Sequence, residues 1–115
     1  MVRVGAENSG SVRFVNCAFW GPCDQIAIIA GQGTVGFGDC TFVQWDGSKE
    51  GRYAIQAGSG TVLVNGCEFQ EDKPQIELGK AVRRAVISNN IFTGRARISN
   101  HSKHAVSIAN NVGDQ

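Results

Sequence analysis

An eight-residue motif returns five times along this chain, and it limits the possible folds more than any other feature. Val12-Arg13-Phe14-Val15-Asn16-Cys17-Ala18-Phe19 aligns without a gap on Val35-Gly36-Phe37-Gly38-Asp39-Cys40-Thr41-Phe42. The next copies run from Val62 to Phe69, from Ala85 to Phe92 and, more weakly, from Val106 to Gly113. The phenylalanines that close the first four copies are 23, 27 and 23 residues apart, and the fifth copy closes 21 residues later. Self-similarity at such a period marks a stacked repeat architecture.

Each position of the motif has a physical reading. The first and third are apolar in every copy (Val12 and Phe14, Val35 and Phe37, Val62 and Val64, Ala85 and Ile87, Val106 and Ile108). Period-two alternation puts both on one face of a strand. The fifth reads Asn16, Asp39, Gly66, Asn89, Asn110. These residue types tolerate a left-handed backbone, so the column predicts a bend with positive φ. The sixth reads Cys17, Cys40, Cys67, Asn90, Asn111, small side chains able to point inward and stack. The eighth is Phe19, Phe42, Phe69 and Phe92, ending at Gly113.

A second strand follows each copy. Ile26-Ala27-Ile28, Tyr53-Ala54-Ile55, Ile76-Glu77-Leu78 and Ala96-Arg97-Ile98 repeat the alternation, and Val2-Arg3-Val4 matches them. This alignment puts Tyr53 in an inward column with Ile26 and Ile76. It also sets Arg97 beside Glu77, predicting a cross-strand ion pair. The link from the second strand to the next copy is nearly constant in length, whereas the segment after each phenylalanine varies.

One architecture satisfies a period near 23 with strands at fixed phase. Successive coils stack in parallel at ~4.8 Å, each residue above its equivalent. The expectation is an all-β, right-handed parallel β-helix of four to five coils, a single domain over residues 1–115, with no substantial helix. The 15 glycines, two prolines and 18% charged residues fit many short strands and tight turns. A leucine-rich repeat would need more than the two leucines present, Leu63 and Leu78.

The Asn-Asn-Ile-Phe of the fourth copy, the asparagine bend column and the stacked phenylalanines resemble the right-handed β-helix, pectin-lyase-like superfamily. The resemblance covers almost the whole chain. It implies the fold, and a range of activities that includes lyases, hydrolases, epimerases, tailspikes and adhesins. Glycoside hydrolases of the group carry an adjacent aspartate pair and a His-Gly dipeptide, and this chain has neither. Its lyases use an arginine or lysine base, with Ca²⁺ neutralising a uronate. Arg95, Arg97, Lys103 and His104 match that role by residue type only.

Chemistry in such a stack belongs on its variable edge. The loops after the phenylalanine column hold Asp24, Asp46, Glu50, Glu71 and Asp72, five of the ten acids. Paired carboxylates there suit acid–base hydrolysis or Ca²⁺ ligation. The plainer alternative is solvated charge partnered by Lys49, Arg52 and Lys73. Asp46, Asp72 and Arg95 are thus the catalytic candidates, and Asp24, Asp46 and Asp72 the Ca²⁺ candidates. Trp20 and Trp45 share the edge, where exposed indoles with Asp46 would form a carbohydrate-binding strip. Otherwise the rings pack against the coils. Cys17, Cys40 and Cys67 read as a ladder of reduced, buried thiols, open also to a disulfide or metal reading, and Cys23 as the more reactive loop thiol.

A net charge of +1 gives no global bias toward nucleic acid or membrane. Charge is uneven, however: Lys80, Arg83, Arg84, Arg95, Arg97 and Lys103, with His101 and His104, form a run without an acid. No leader-like start and no apolar run of membrane-spanning length are present; compartment is left open. Val2–Val4 already match a second strand, so the chain starts within a coil. Either further coils precede it in a longer β-helix, or a homo-oligomer covers the open N-terminal coil. The functional expectation is a non-catalytic module, structural or carbohydrate-binding and without a cofactor. The alternatives are a lyase or hydrolase of acidic polysaccharide, with Ca²⁺ if a lyase, and a self-associating solenoid.

Overall fold

The computed structural model describes residues 1–114, and they form a parallel β-solenoid of about five turns without a helix. Three walls recur in each coil. The first holds β1 (Val2–Val4), β4 (Ala27–Ile29), the start of β7 (Ile55–Asn65), the start of β9 (Ile76–Ser88) and β11 (Ile98–Asn100). The second holds β2 (Ser11–Val15), β5 (Thr34–Gly38), the ends of β7 and β9, and β12 (Ala105–Ala109). The third is β3 (Ala18–Trp20), β6 (Thr41–Val43), β8 (Glu68–Phe69) and β10 (Ile91–Phe92). All pairings are parallel, and strand twist favours right-handed winding for such crossovers.

The motif columns are the register. Val12, Val35, Val62, Ala85 and Val106 are successive ladder partners, as are Phe14, Phe37, Val64, Ile87 and Ile108. Phe19 stacks on Phe42 at 5.2 Å and 14°, Phe42 on Phe69 at 4.5 Å and 8°, and Phe69 meets Phe92 at 5.2 Å. Strands spaced ~4.8 Å apart force these rings over one another, although isolated aromatic pairs prefer offset or edge-on contact. The bend column is left-handed throughout: φ is 55° at Asn16, 53° at Asp39, 70° at Gly66, 59° at Asn89 and 58° at Asn110. Glycine at 66 has a second cause, since a Cβ there would lie 2.5 Å from Asp39 Oδ1.

Cysteine and asparagine share the sixth column because they make the same bonds. The Cys40 thiol donates to the Phe14 carbonyl at 3.4 Å and the Cys67 thiol to that of Phe37 at 3.5 Å. Asn90 Nδ2 donates to the Val64 carbonyl and Asn111 Nδ2 to that of Ile87, each at 3.1 Å. In return, Asn90 Oδ1 accepts the Cys67 N–H and Asn111 Oδ1 the Asn90 N–H. The backbone N–H groups of Cys40 and Cys17 likewise face the Cys67 and Cys40 sulfurs and favour their thiolates. Each rung thus satisfies buried backbone groups of the coil before it. No disulfide is formed: all four cysteines are free.

The second strands correct the sequence-based register. Val2, Ala27, Ile55, Ile76 and Ile98 are the true partners, so the alignment slips by one residue in coil 2 and by two in coils 3 and 5. Glu77 stands beside Gln56 and Ser99, not Arg97, so the expected Arg97–Glu77 pair does not form. Arg97 instead meets Asp72 at 2.8 Å, and Glu77 faces His101 at 3.8 Å. Tyr53 lies outside the ladder and is only half-buried. The corner before coil 3's second wall bends at Gly60, φ 84°, where a Cβ would strike the Gly33 carbonyl at 2.6 Å.

Burial is deepest in the middle coils. Val62, Val64, Cys67 and Phe69 are sealed, whereas Val12, Phe14, Cys17 and Phe19 of coil 1 are half-open. Phe42→Ala should therefore cost about 3–5 kcal/mol in urea unfolding, against a change within about 0.5 kcal/mol for exposed Trp20→Ala. Asn90→Ala orphans the Cys67 N–H and the Val64 carbonyl, about 1–3 kcal/mol each. Asn90→Cys should be milder, because sulfur keeps both the donor and the acceptor.

Candidate functional site

The variable edge is built by loops leaving the third wall, and the longest leaves coil 2. Its backbone turns left-handed at Gln44 (φ 61°), Asp46 (55°), Lys49 (55°) and Gly51 (80°), so the loop doubles back. That path throws Trp45 inward. Its ring is 0% exposed and lies edge-on to Phe69 at 6.1 Å and 87°. Its Nε1–H donates to the Pro74 carbonyl at 2.7 Å. Trp45 is therefore an anchor beneath the loop, not half of an exposed sugar platform. The apolar ring gains more from the phenylalanine stack than from the surface.

Asp46 is likewise turned to structure. Only 5% exposed, its carboxylate accepts the N–H groups of Glu50 at 3.0 Å, Gly51 at 3.0 Å and Arg52 at 3.1 Å. The loop encloses the charge with its own backbone, which leaves no open face for Ca²⁺, water or a sugar hydroxyl. Asp46 thus sits inside its loop, whereas the sequence reading placed it on the open edge.

The remaining edge acids pair off separately. Asp24 accepts the Ser48 N–H at 2.9 Å, and that bond above all holds its carboxyl below the usual range. Glu71 meets Lys73 at 2.8 Å and takes the Gln44 N–H, while Lys73 also donates to the Trp45 carbonyl. Asp72 is held by Arg97, and Glu50 by Arg52 at 3.5 Å. Asp24 and Asp46 do come together, but through backbone: the Asp46 N–H donates to the Asp24 carbonyl at 2.9 Å. Among the described residues, no three or more of His, Cys, Asp and Glu are grouped to hold a metal ion.

Trp20 and Arg95 lie apart from this cluster. Trp20, on the last residue of β3, is 74% exposed. It borders a hollow of about 260 Å³ with Met1, Val2, Phe19, Pro22 and Ile26. Arg95 is exposed in the loop after coil 4, beside Ala96, Asn111 and Asp114. Among the described residues Arg95 has no carboxylate partner, and neither do Lys80, Arg83, Arg84 and Lys103.

Two buried glutamines carry positioning that the pattern analysis missed. Gln75, 0% exposed, donates to the Arg95 carbonyl at 3.0 Å and accepts the Arg97 N–H. Gln25 donates to Gln56 at 2.7 Å. The recurring Gln-Ile pairs at 25–26 and 75–76 were the available signal. Cys23 is half-buried in its loop. Burial first of all pushes its thiol up, as it does those of Cys40 and Cys67.

No family model matches the chain, no curated protein matches it, and no solved structure matches it.

Asp46→Ala should destabilise the fold by on the order of 2–4 kcal/mol, because three N–H groups lose a charged acceptor; Asp24→Ala, at an exposed site, should change the urea midpoint far less. Burial pushes the Cys67 thiol from 9.0 to about 11. A thiol raised on folding favours the fold fully below its unfolded value and loses that contribution as pH rises through the folded one. Stability of the wild type should therefore fall between pH ~9 and ~11, and Cys67→Ala should flatten that alkaline limb.

Proposed function

We propose that this chain is a non-catalytic β-solenoid module, a structural scaffold that offers at most one sugar-facing feature, Trp20. The observation that carries this reading is the enclosure of Asp46 by three backbone N–H groups of its own loop. A catalytic carboxylate needs access to a substrate proton or carbon, and the acids of the edge are each tied to a loop partner. The pectin-lyase-like resemblance belongs to the same proposal, supported by the parallel coils and the asparagine bends.

The glycan-binding form of the reading rests on Trp20 and not on the Trp20–Trp45 pair. An exposed indole at the rim of a hollow suits stacking on a sugar face. Glycan-array binding by the wild type, abolished in Trp20→Ala while the melting curve stays unchanged, is the outcome this form requires. Loss of binding in Asp46→Asn with no loss in Trp20→Ala would contradict it.

A lyase or hydrolase of acidic polysaccharide remains the alternative, favoured by the exposed Arg95, which has no carboxylate partner among the described residues. Uronate polymers offered with and without Ca²⁺, followed by the absorbance of unsaturated products, separate the two. The scaffold reading expects no turnover under either condition. Turnover lost in Asp72→Ala or Arg95→Ala would replace it with the enzyme.

A further inference from the structure

Coil 4 crosses from its first wall to its second over two β-bulges. Ala57 pairs with Leu78 and Ser59 with Ala81, so Gly58 of coil 3 stands against two residues of coil 4, Gly79 and Lys80. Gly60 then pairs with Val82 and Thr61 with Arg84, which leaves Arg83 without a partner in coil 3. A bulged residue leaves the ladder, and its side chain is re-aimed. Here the extra residues include Lys80 and Arg83, both exposed, and Arg84 follows exposed as well. Val82 between them is buried and pins the corner to the core.

Coil 5 brings more of the same charge alongside. Its corner runs from His101 to His104, between β11 and β12. The His101 N–H donates to the Leu78 carbonyl at 2.8 Å, the Ser102 hydroxyl donates to that of Val82 at 2.6 Å, and Ala105 is the ladder partner of Arg84. Lys103 and His104, both exposed, therefore pass beside Arg83. The turn is fixed from within: Asn100 Oδ1 accepts the Ser102 N–H at 2.9 Å and Ser102 Oγ the His104 N–H at 3.1 Å. Lys80, Arg83, Arg84 and Lys103 have no carboxylate partner among the described residues. Neither corner contains an acid, and coil 3 sets only Gly58, Ser59 and Gly60 beside them. Glu77, on the strand that leads into the coil 4 corner, faces His101 at 3.8 Å. Four positive charges are thus gathered in a chain whose net charge is +1, because half of its acids lie on the loop edge.

We infer that this bulged corner binds the phosphate backbone of a double-stranded nucleic acid, without regard to base sequence. The corner offers charge and little else. Residues 79–84 and 100–105 include no phenylalanine, tyrosine or tryptophan, so no such ring is there to stack on an unpaired base or a sugar face. The described residues form no helix that could enter a groove and read base edges. A site of charge alone ranks its partners by charge density, and a duplex carries one negative charge per ~1.7 Å of its axis. Arg83 and Arg84 add forked donors that match phosphate oxygens. This contact lies beyond the scaffold reading and does not involve Trp20.

Anisotropy of a short labelled DNA duplex, titrated with the full chain over a salt series, tests the inference. Four phosphate contacts predict a slope of about −3.6 for log affinity against log salt, so binding should weaken on the order of 100-fold between ~50 and ~200 mM salt. Lys80→Gln, Arg83→Gln and Lys103→Gln should each make the slope shallower by about 0.9, with the melting curve unchanged. Lys49→Gln, the same loss of charge on the loop edge, should leave it as in the wild type. A second duplex of unrelated sequence should bind equally well. Absence of binding at the lowest salt overturns the inference, and so do corner variants that behave as Lys49→Gln does. Tighter binding, at equal salt, of a uronate polymer or of anionic phospholipid vesicles overturns it too. Each of these outcomes leaves the scaffold reading as it was, since polysaccharide turnover decides that.

Discussion

In-register parallel stacking is the constraint on which the molecule depends. With coils ~4.8 Å apart, each side chain has its own equivalent as its nearest neighbour. A position is therefore suited to the column only if it suits a copy of itself. Phenylalanine does so by ring stacking, valine by shape, and asparagine or aspartate by accepting left-handed backbone. The cysteine–asparagine column follows the same rule with hydrogen bonds, since thiol and amide both give one proton upward and accept one in return. Chemically unlike residues occupy one column because their bonding is alike.

That constraint explains what could be read from the sequence. The second and third walls were legible because the motif has no gap, and a one-residue slip would turn Phe14 and Phe37 outward. The bend column was legible because few residue types accept positive φ. The first wall was read with slipped register in three coils. There Ile26, Ala27 and Ile29 are all buried beside a corner, so strict alternation fails and two alignments look equal. Tyr53 and Arg97 were misplaced with it.

The loop edge was legible in composition and illegible in role. Asp46 was found by its charge and its place, but backbone that curls around a carboxylate leaves no mark in a list of acids. Trp45 gave the same ambiguity. Indoles serve surfaces and cores equally well, and the choice was made by the left-handed turns at Gln44, Asp46 and Lys49. The edge is best seen as a set of clasps: Lys73 ties its own loop to Trp45, Asp24 ties Ser48, and Arg97 ties Asp72. Tethers of this kind hold irregular backbone in place where the ladder cannot.

The ladder of thiols and amides in the sixth column has a further consequence for how the molecule comes apart. Each rung touches only the coil before and the coil after, so damage to one is felt by its neighbours and fades beyond them. Opening then runs inward from the two ends like fraying rope, and the coil holding Cys67 and Phe69, protected on both sides, is the last to let go.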